Sequence, residues 1–293
     1  MSDIDIFNGD ADGICSLIQL RLSEPRASTL ITGVKRDISL LDRVDCQAGD
    51  RLTVLDVSLD RNRGRVVDVL DVGASVFYCD HHFSGEIPEH PRLEVLINAS
   101  PDVCTSVLIN GYLQSRHTAW AVVGAFGDNL TETANRIAKI SSLSTSQLEI
   151  LEKLGTYINY NSYGADVDDL HWHPAELYFT LVSFSSPLDF LAEKPEYFTR
   201  LESSFFSDME KVNDVRPEYS DSGVAVYLLP NESWARRISG IFGNRLANEF
   251  PSRAHAVLTG KSEGEFLVSV RAPLDNRQGA DSICRQYPTG GGR

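Results

Sequence analysis

The sequence predicts an α/β protein in which an N-terminal domain, built on a parallel sheet with helices on both faces, is followed by a connector helix and a smaller C-terminal α/β domain. Short apolar runs rich in β-branched and aromatic residues alternate with longer helical patterns through the first half of the chain. This alternation favours parallel strands joined by right-handed crossovers. Three of the predicted strands also finish on acidic residues.

The predicted elements of the first half follow from this alternation in chain order. Strands are predicted at Ile4–Phe7, Thr29–Val34, Leu52–Val57 and Ser75–Cys79, with helices at Gly13–Leu22 and Arg61–Leu70. The pattern is helical from Val103 to Leu154. Residues Tyr157–Pro174 have the Asn, Gly and Asp density of a loop.

The second half contains a connector and a smaller α/β pattern. Pro195–Val215 has the pattern of a charged helix and is the predicted connector. Beyond it we predict the strand Val224–Leu229, the helix Trp234–Asn248 and the strands Ala254–Thr259 and Glu265–Ala272. The predicted division is therefore an N-terminal domain over residues 1–190, a connector over 191–215 and a C-terminal domain over 216–293.

Composition limits the classes of protein and of partner. The chain has 293 residues, of which 42% are hydrophobic and 23% charged, which suits a globular protein of two domains. Its net charge of −14 opposes binding to long nucleic acids. Five scattered cysteines argue against a disulfide framework or a thiolate zinc site. With neither a signal peptide nor a run of 18 apolar residues, we expect a cytoplasmic protein without a membrane partner.

Acidic and histidine side chains recur where the predicted strands end. Taken alone, each acid would be a helix cap or a turn residue. The carboxyl ends of parallel strands meet at one edge of the sheet, however, so these side chains are expected to share one site. So many carboxylates would repel one another without divalent cations, and a mixture of carboxylate and imidazole suits Mn²⁺. The side chains expected to share the site are Asp10, Asp12, Asp56, His81 and Asp128.

Four short motifs resemble those of the DHH phosphoesterase family. They read "GDADG", "LDVS", "DHH" and "GAFGD", in this order. Near the end of the chain, "VSVRAPL" followed by "PTGGGR" resembles the end of the DHH-associated C-terminal domain. The resemblance implies a two-domain hydrolase that uses two divalent ions, usually Mn²⁺, to cleave phosphodiester or phosphoanhydride bonds.

The resemblance also implies a role for each matching residue. Asp10 would bind one metal ion and Asp12 the other, Asp56 would bridge the two, and His81 and Asp128 would complete the cluster. Asp80 would orient a ligand and His82 would face the phosphate or the leaving oxygen, which makes Asp56, Asp80 and His82 the catalytic candidates. Substrate would be held by Arg271 and by the backbone of the glycine run, Gly290, Gly291 and Gly292.

The sequence departs from the family pattern at two places. Ile6 stands where many members have a histidine ligand, and Asn8 stands where single-strand exonucleases of the family have an aspartate. We therefore expect Asn8 or water to fill a metal position. Arg293 follows the glycines where the family has a histidine and a further helix, so we expect the C-terminal domain to be incomplete at its C-terminus and include Arg293 among the substrate-binding candidates.

The predicted substrate is a short linear oligonucleotide. The glycine-run domain disfavours pyrophosphate, and the acidic balance disfavours long DNA. We predict hydrolysis of dinucleotides such as pGpG to mononucleotides by a water that two metal ions activate. The direction of attack is left open. The alternatives are a cyclic dinucleotide phosphodiesterase and a non-catalytic nucleotide sensor. Tyr163 would either stack on a base of the substrate or pack between the domains. The sequence leaves open whether the protein forms a homodimer.

Overall fold

The computed structural model describes residues 1–261, 264–287 and 290. The chain divides into two compact units. The first unit comprises Met1–Ser162 and Asp166–Leu201, and the second comprises Tyr163–Ala165 and Glu202–Arg293. The division falls inside one long helix, Pro195–Lys211, at which the connector was predicted. The domain boundaries drawn from the sequence stay predictions.

A five-stranded parallel sheet forms the centre of the first unit. Its strands are β1 (Asp3–Phe7), β2 (Ser28–Ile31), β3 (Arg51–Leu55), β4 (Ser75–Asp80) and β5 (Leu93–Ile97), in the spatial order β2-β1-β3-β4-β5. The predicted parallel sheet is therefore confirmed. The sequence pattern missed β5, a half-buried edge strand that follows a polar, proline-containing segment.

Helices cover both faces of this sheet, as predicted. The helices of the unit are α1 (Ala11–Ser23), α2 (Leu59–Val72), α3 (Thr105–Tyr112), α4 (Thr118–Gly127), α5 (Thr131–Ile140), α6 (Thr145–Asn161), α7 (Pro174–Leu181) and α8 (Pro187–Glu193), and α9 (Pro195–Lys211) begins in it. Alternate strand residues feed two separate cores, because successive side chains of a strand point to opposite faces. Ile4 and Ile6 pack in the core that contains residues of α2, whereas Phe7 packs in the core of α1 and α4.

Two predicted segments differ from the structure. The loop predicted over Tyr157–Pro174 begins later, because α6 continues to Asn161. Tyr157, Ile158 and Tyr160 are buried on this last part of α6, so packing outweighs a loop-like composition. The strand predicted over Thr29–Val34 is shorter and ends at Ile31.

The second unit has the smaller α/β pattern that the sequence predicts, and its sheet is mixed. Its elements are β6 (Tyr219–Ser220), β7 (Val224–Leu229), α10 (Ser233–Glu249), β8 (Ala254–Gly260), β9 (Phe266–Arg271) and α11 (Ala280–Cys284). The strand order is β6-β7-β8-β9, and the parallel pair β7 and β8 is joined by α10. Among the helices of the described residues, none combines the length and the hydropathy that a membrane span requires. All five cysteines are free thiols.

Candidate metal centre at the carboxyl end of the parallel sheet

The candidate site lies where the strands of the parallel sheet end. The loop after β1 leads to Asp12 in the first turn of α1, Asp56 follows β3 directly, and His81 follows β4. Asp128 ends α4. Asp12, Asp56 and His81 are buried, so the structure brings side chains that are distant in sequence into one enclosed polar cluster.

Asp12 is held by the N-terminus of α3. One carboxylate oxygen accepts the Thr105 N–H at 2.7 Å, and the other accepts the Ser106 N–H at 2.8 Å. The first turn of a helix has N–H groups without helical partners, and these favour a negative charge. Each carboxylate oxygen keeps a lone pair for a further ligand. The helix end therefore fixes Asp12 without using up its capacity to bind a cation.

Asp56 adopts a left-handed backbone conformation, with φ of 59°. Its N–H donates to the Cys79 carbonyl at 3.0 Å, and its carboxylate accepts the Thr105 hydroxyl at 3.2 Å. Burial raises the pKa of Asp56 well above its ordinary value, and the charges of Asp10 and Asp12 raise it further. A strained backbone and a carboxylate held among other carboxylates are features that cluster at functional sites.

His81 points one nitrogen at this group of acids. Its Nδ1 lies 3.0 Å from the Val103 carbonyl oxygen, which accepts a hydrogen and therefore assigns the ring hydrogen to Nδ1. Its Nε2 lies 3.3 Å from Asp56, 3.7 Å from Asp128 and 3.9 Å from Asp12. Three carboxylates that face one imidazole nitrogen repel one another unless a positive charge lies between them.

The donor set fits a divalent transition-metal ion. The ligand atoms of Asp12, His81 and Asp128 lie within 4.8 Å of one another, and so do those of Asp56, His81 and His82. Carboxylate oxygens combined with imidazole nitrogen suit Mn²⁺ and similar ions. The residues that would hold such an ion are therefore Asp12, Asp56, His81 and Asp128.

His82 and Asp80 form a pair beside the cluster. His82 Nδ1 lies 2.7 Å from a carboxylate oxygen of Asp80, which is fully buried. Burial lowers the pKa of His82, but the hydrogen bond and the charge of Asp80 outweigh it, so the pKa lies above its ordinary value. The His82 side chain is 35% exposed. Asp80 thus fixes a protonatable ring that solvent can reach.

Two predicted metal ligands have other partners. Asp10 is the N-cap of α1, where one oxygen accepts the N–H groups of Asp12 and Gly13 at 3.0 Å, and its other oxygen pairs with Lys35. Asn8 donates its amide hydrogen to the Lys35 carbonyl at 3.2 Å and accepts the Asp10 N–H at 3.2 Å. Both ends of the Asn8 amide are thus bound to backbone groups.

Lys35 was not among the site residues predicted from the sequence. It follows β2, whose carboxyl end lies at the same edge of the sheet as those of β1, β3 and β4. The rule that gathered the acids at this edge places Lys35 near them but does not predict its contacts with Asp10 and Asp128.

Three of the predicted substrate-binding residues lie in the described part of the second unit. The Arg271 guanidinium donates to Asn244 Oδ1 at 2.7 Å, to Ser269 Oγ at 3.0 Å and to the Gly240 carbonyl at 3.3 Å. The Tyr163 ring lies so close to Gly240 that a Cβ there would approach it to 2.8 Å.

Gly290 is the third of the predicted substrate-binding residues that the structure describes. Its N–H donates to the Tyr287 carbonyl at 2.9 Å. Gly291, Gly292 and Arg293 lie outside the described residues. The substrate-binding roles of Arg271, Tyr163 and the glycine run stay predictions.

The fold is that of the DHH phosphoesterases, as the comparison with solved structures shows. RecJ exonuclease bound to manganese matches with a TM-score of 0.55 and 17% identity over 92% of this chain and 77% of that chain. RecJ of Thermus thermophilus in complex with Mn²⁺ matches with a TM-score of 0.55 and 16% identity over 97% of this chain and 46% of that chain, so the chain spans less than half of that protein.

A third similar structure is the pGpG-specific phosphodiesterase PggH from Vibrio cholerae. It matches with a TM-score of 0.52 and 12% identity over 100% of this chain and 90% of that chain. No protein-family model matches the sequence, and no curated protein matches it either. At these identities the comparisons establish the fold.

Proposed function

We propose that the protein is a metal-dependent phosphodiesterase that hydrolyses short linear oligonucleotides, in particular dinucleotides such as pGpG, to nucleoside monophosphates. The observation that carries the proposal is the convergence of Asp12, Asp56 and Asp128 on His81 Nε2. The structural similarity to PggH extends over 90% of the PggH chain and supports the choice of substrate.

Each residue of the site has a defined task in this reaction. A bound divalent ion would acidify water and neutralise charge on the phosphate. Asp12, Asp56, His81 and Asp128 would hold it, with Asp12 fixed by the N-terminus of α3 and His81 fixed by its bond to Val103. The oxygen of water bonds to phosphorus as the bond from phosphorus to the 3′ oxygen breaks.

His82 would supply the proton that the leaving 3′ oxygen takes up. Its Nδ1 is bound to Asp80, so its Nε2 is the atom that would donate. The charge of Asp80 favours the protonated ring, which raises the fraction of molecules that are ready to donate. Addition of one water to pGpG then gives two molecules of GMP.

The charge of the chain supports a short substrate. Its net charge of −14 opposes the binding of a long polyanion. A dinucleotide carries few phosphates, and their charge would be offset locally by the bound cation and by Lys35 beside Asp10.

A panel of three substrates tests this proposal. The full chain is incubated with pGpG, with cyclic di-GMP and with a 24-mer RNA, in Mn²⁺ or in EDTA, and products are resolved by ion-exchange chromatography. We expect GMP from pGpG in Mn²⁺ and none in EDTA. Faster loss of cyclic di-GMP than of pGpG would favour a cyclic dinucleotide phosphodiesterase, and turnover of none of the three would contradict an enzymatic function.

Replacing Asp80 with asparagine is expected to lower kcat for pGpG by about 10- to 100-fold, because the protonated form of His82 loses its charged partner. Asp71→Asn, which changes an exposed acid near the end of α2, serves as the matched control and should retain the wild-type rate. A wild-type kcat for Asp80→Asn would show that the Asp80 and His82 pair has no part in turnover.

A further inference from the structure

We propose that the ammonium group of Lys35 takes the place of one of the two metal ions implied by the resemblance, so that the site binds a single divalent ion per chain. This inference rests on the metal dependence in the proposed function. It concerns the half of the site around Asp10, which shares Asp128 with the half around His81.

The contacts of the Lys35 ammonium carry the inference. Nζ donates to Asp10 Oδ2 and to Asn159 Oδ1, the latter at 3.0 Å, and lies 3.6 Å from Asp128 Oδ1. Asp10 and Asp128 are residues that the resemblance assigns to the metal cluster. An ammonium has three donors and one positive charge, so it donates to Asp10 and Asn159 and attracts the nearby Asp128 carboxylate. A divalent ion beside it would be repelled by the same charge.

Lys35 contacts Asp10 as a bound cation would. One Asp10 oxygen accepts the N–H groups of Asp12 and Gly13 at 3.0 Å, and the Lys35 ammonium binds the other oxygen. The negative charges of Asp10 and Asp128 are therefore offset by a positive charge that belongs to the chain itself.

The backbone of Lys35 is fixed where the side chain needs it. Its N–H donates to the Ser162 carbonyl at 2.9 Å, and its carbonyl accepts from Asn8 Nδ2 at 3.2 Å. The loop that carries Lys35 also packs directly on the loop after β1. A Cβ on Gly9 would lie only 2.0 Å from the Gly33 carbonyl oxygen, so glycine is required for this approach.

The two departures from the family pattern agree with this arrangement. A carboxylate at Asn8 has no hydrogen to donate, and it would place a charge against the Lys35 carbonyl oxygen. Ile6 is fully buried in β1 and offers no ligand atom. The sequence therefore lacks two ligands of the same half of the site in which Lys35 supplies a built-in cation.

The number of bound Mn²⁺ ions tests the inference without an activity assay. The full wild-type chain, stripped with chelator and titrated with Mn²⁺, is examined by native mass spectrometry and by electron paramagnetic resonance. We expect one ion per chain and the signal of an isolated Mn²⁺. Two ions per chain with a spin-coupled signal would overturn the inference and leave the proposed function standing, whereas no bound ion would overturn both.

Variants of Lys35 test the cause. Lys35→Met removes the charge with little change in length, and the capacity is expected to rise from one ion to two as Asp10 and Asp128 lose their cation. Lys35→Gln, which keeps a hydrogen-bond donor, should also bind two ions. It replaces Lys35→Met in the test if the Met variant does not fold. Lys139→Met, at an exposed lysine of α5, should still bind one ion. A folded Lys35→Met or Lys35→Gln chain that binds only one ion would overturn the inference.

Discussion

Asp56→Asn is expected to lower the rate of pGpG hydrolysis by at least about 10³-fold, because the charge stabilisation supplied by a bound metal ion is worth several kcal/mol. The same change is expected to raise the Tm of the metal-free protein. Asp56 is buried close enough to Asp10 and Asp12 for their charges to raise its pKa. A carboxyl group whose folded-state pKa is raised destabilises the fold once the pH exceeds that of the unfolded group, and asparagine removes this cost.

The asparagine variant isolates the charge. Asparagine tolerates the left-handed backbone of Asp56, and its Oδ1 can accept the Thr105 hydroxyl. Turnover is measured by chromatography of GMP, and Tm by circular dichroism in EDTA, with Asp71→Asn as the control for both. A variant that keeps a tenth of the wild-type rate would contradict the placement of Asp56 in the metal cluster. A lower Tm would contradict the electrostatic description of the metal-free cluster.

Arg21→Met is expected to destabilise the protein by about 3–5 kcal/mol, since it leaves the buried Asp5 carboxylate without its counter-ion. Arg21 forms two bonds to Asp5, at 2.6 and 2.8 Å, and a third to Thr53 at 2.9 Å. Both side chains of the ion pair are almost fully buried between α1 and the sheet. At roughly 2–4 °C per kcal/mol for a domain of this size, Tm should fall by about 10 °C.

Two further variants separate the ion pair from general damage. Arg51→Met removes a surface ion pair with Asp3, in which Arg51 is 45% exposed, and should cost at most about 1 kcal/mol. Asp5→Leu combined with Arg21→Met removes both charges and should recover part of the loss. Urea unfolding of the full chain gives the comparison. An Arg21→Met chain as stable as Arg51→Met would show that Asp5 finds another partner.

The fold was largely predictable because its strands have a strong local pattern. β1, β3 and β4 lie within a few residues of their predicted ranges, since apolar β-branched runs bounded by turn residues leave little choice. β5 and the end of α6 were not predictable in this way. Both depend on packing, which decides whether a short or polar segment becomes ordered.

The candidate site was predictable to the extent that it follows from topology. Asp12, Asp56 and His81 converge because neighbouring parallel strands end at one edge. The role of Lys35 was not predictable, since it depends on the close approach of two loops at Gly9 and Gly33. One Asp10 oxygen accepts N–H groups at the helix N-terminus and the other binds Lys35. The same side chain therefore caps the helix and binds a cation.

Hydrolysis of pGpG by the full wild-type chain is the most direct test of the central claim, namely that this cluster binds a divalent ion and cleaves a phosphodiester bond. The rate of GMP release is measured as Mn²⁺ is titrated into chelator-treated protein, beside the Asp56→Asn and Asp71→Asn variants. We predict turnover that rises with Mn²⁺ and disappears in EDTA for the wild type and Asp71→Asn, with almost none for Asp56→Asn. Equal release of GMP with and without Mn²⁺, or its absence at every Mn²⁺ concentration, would contradict the claim.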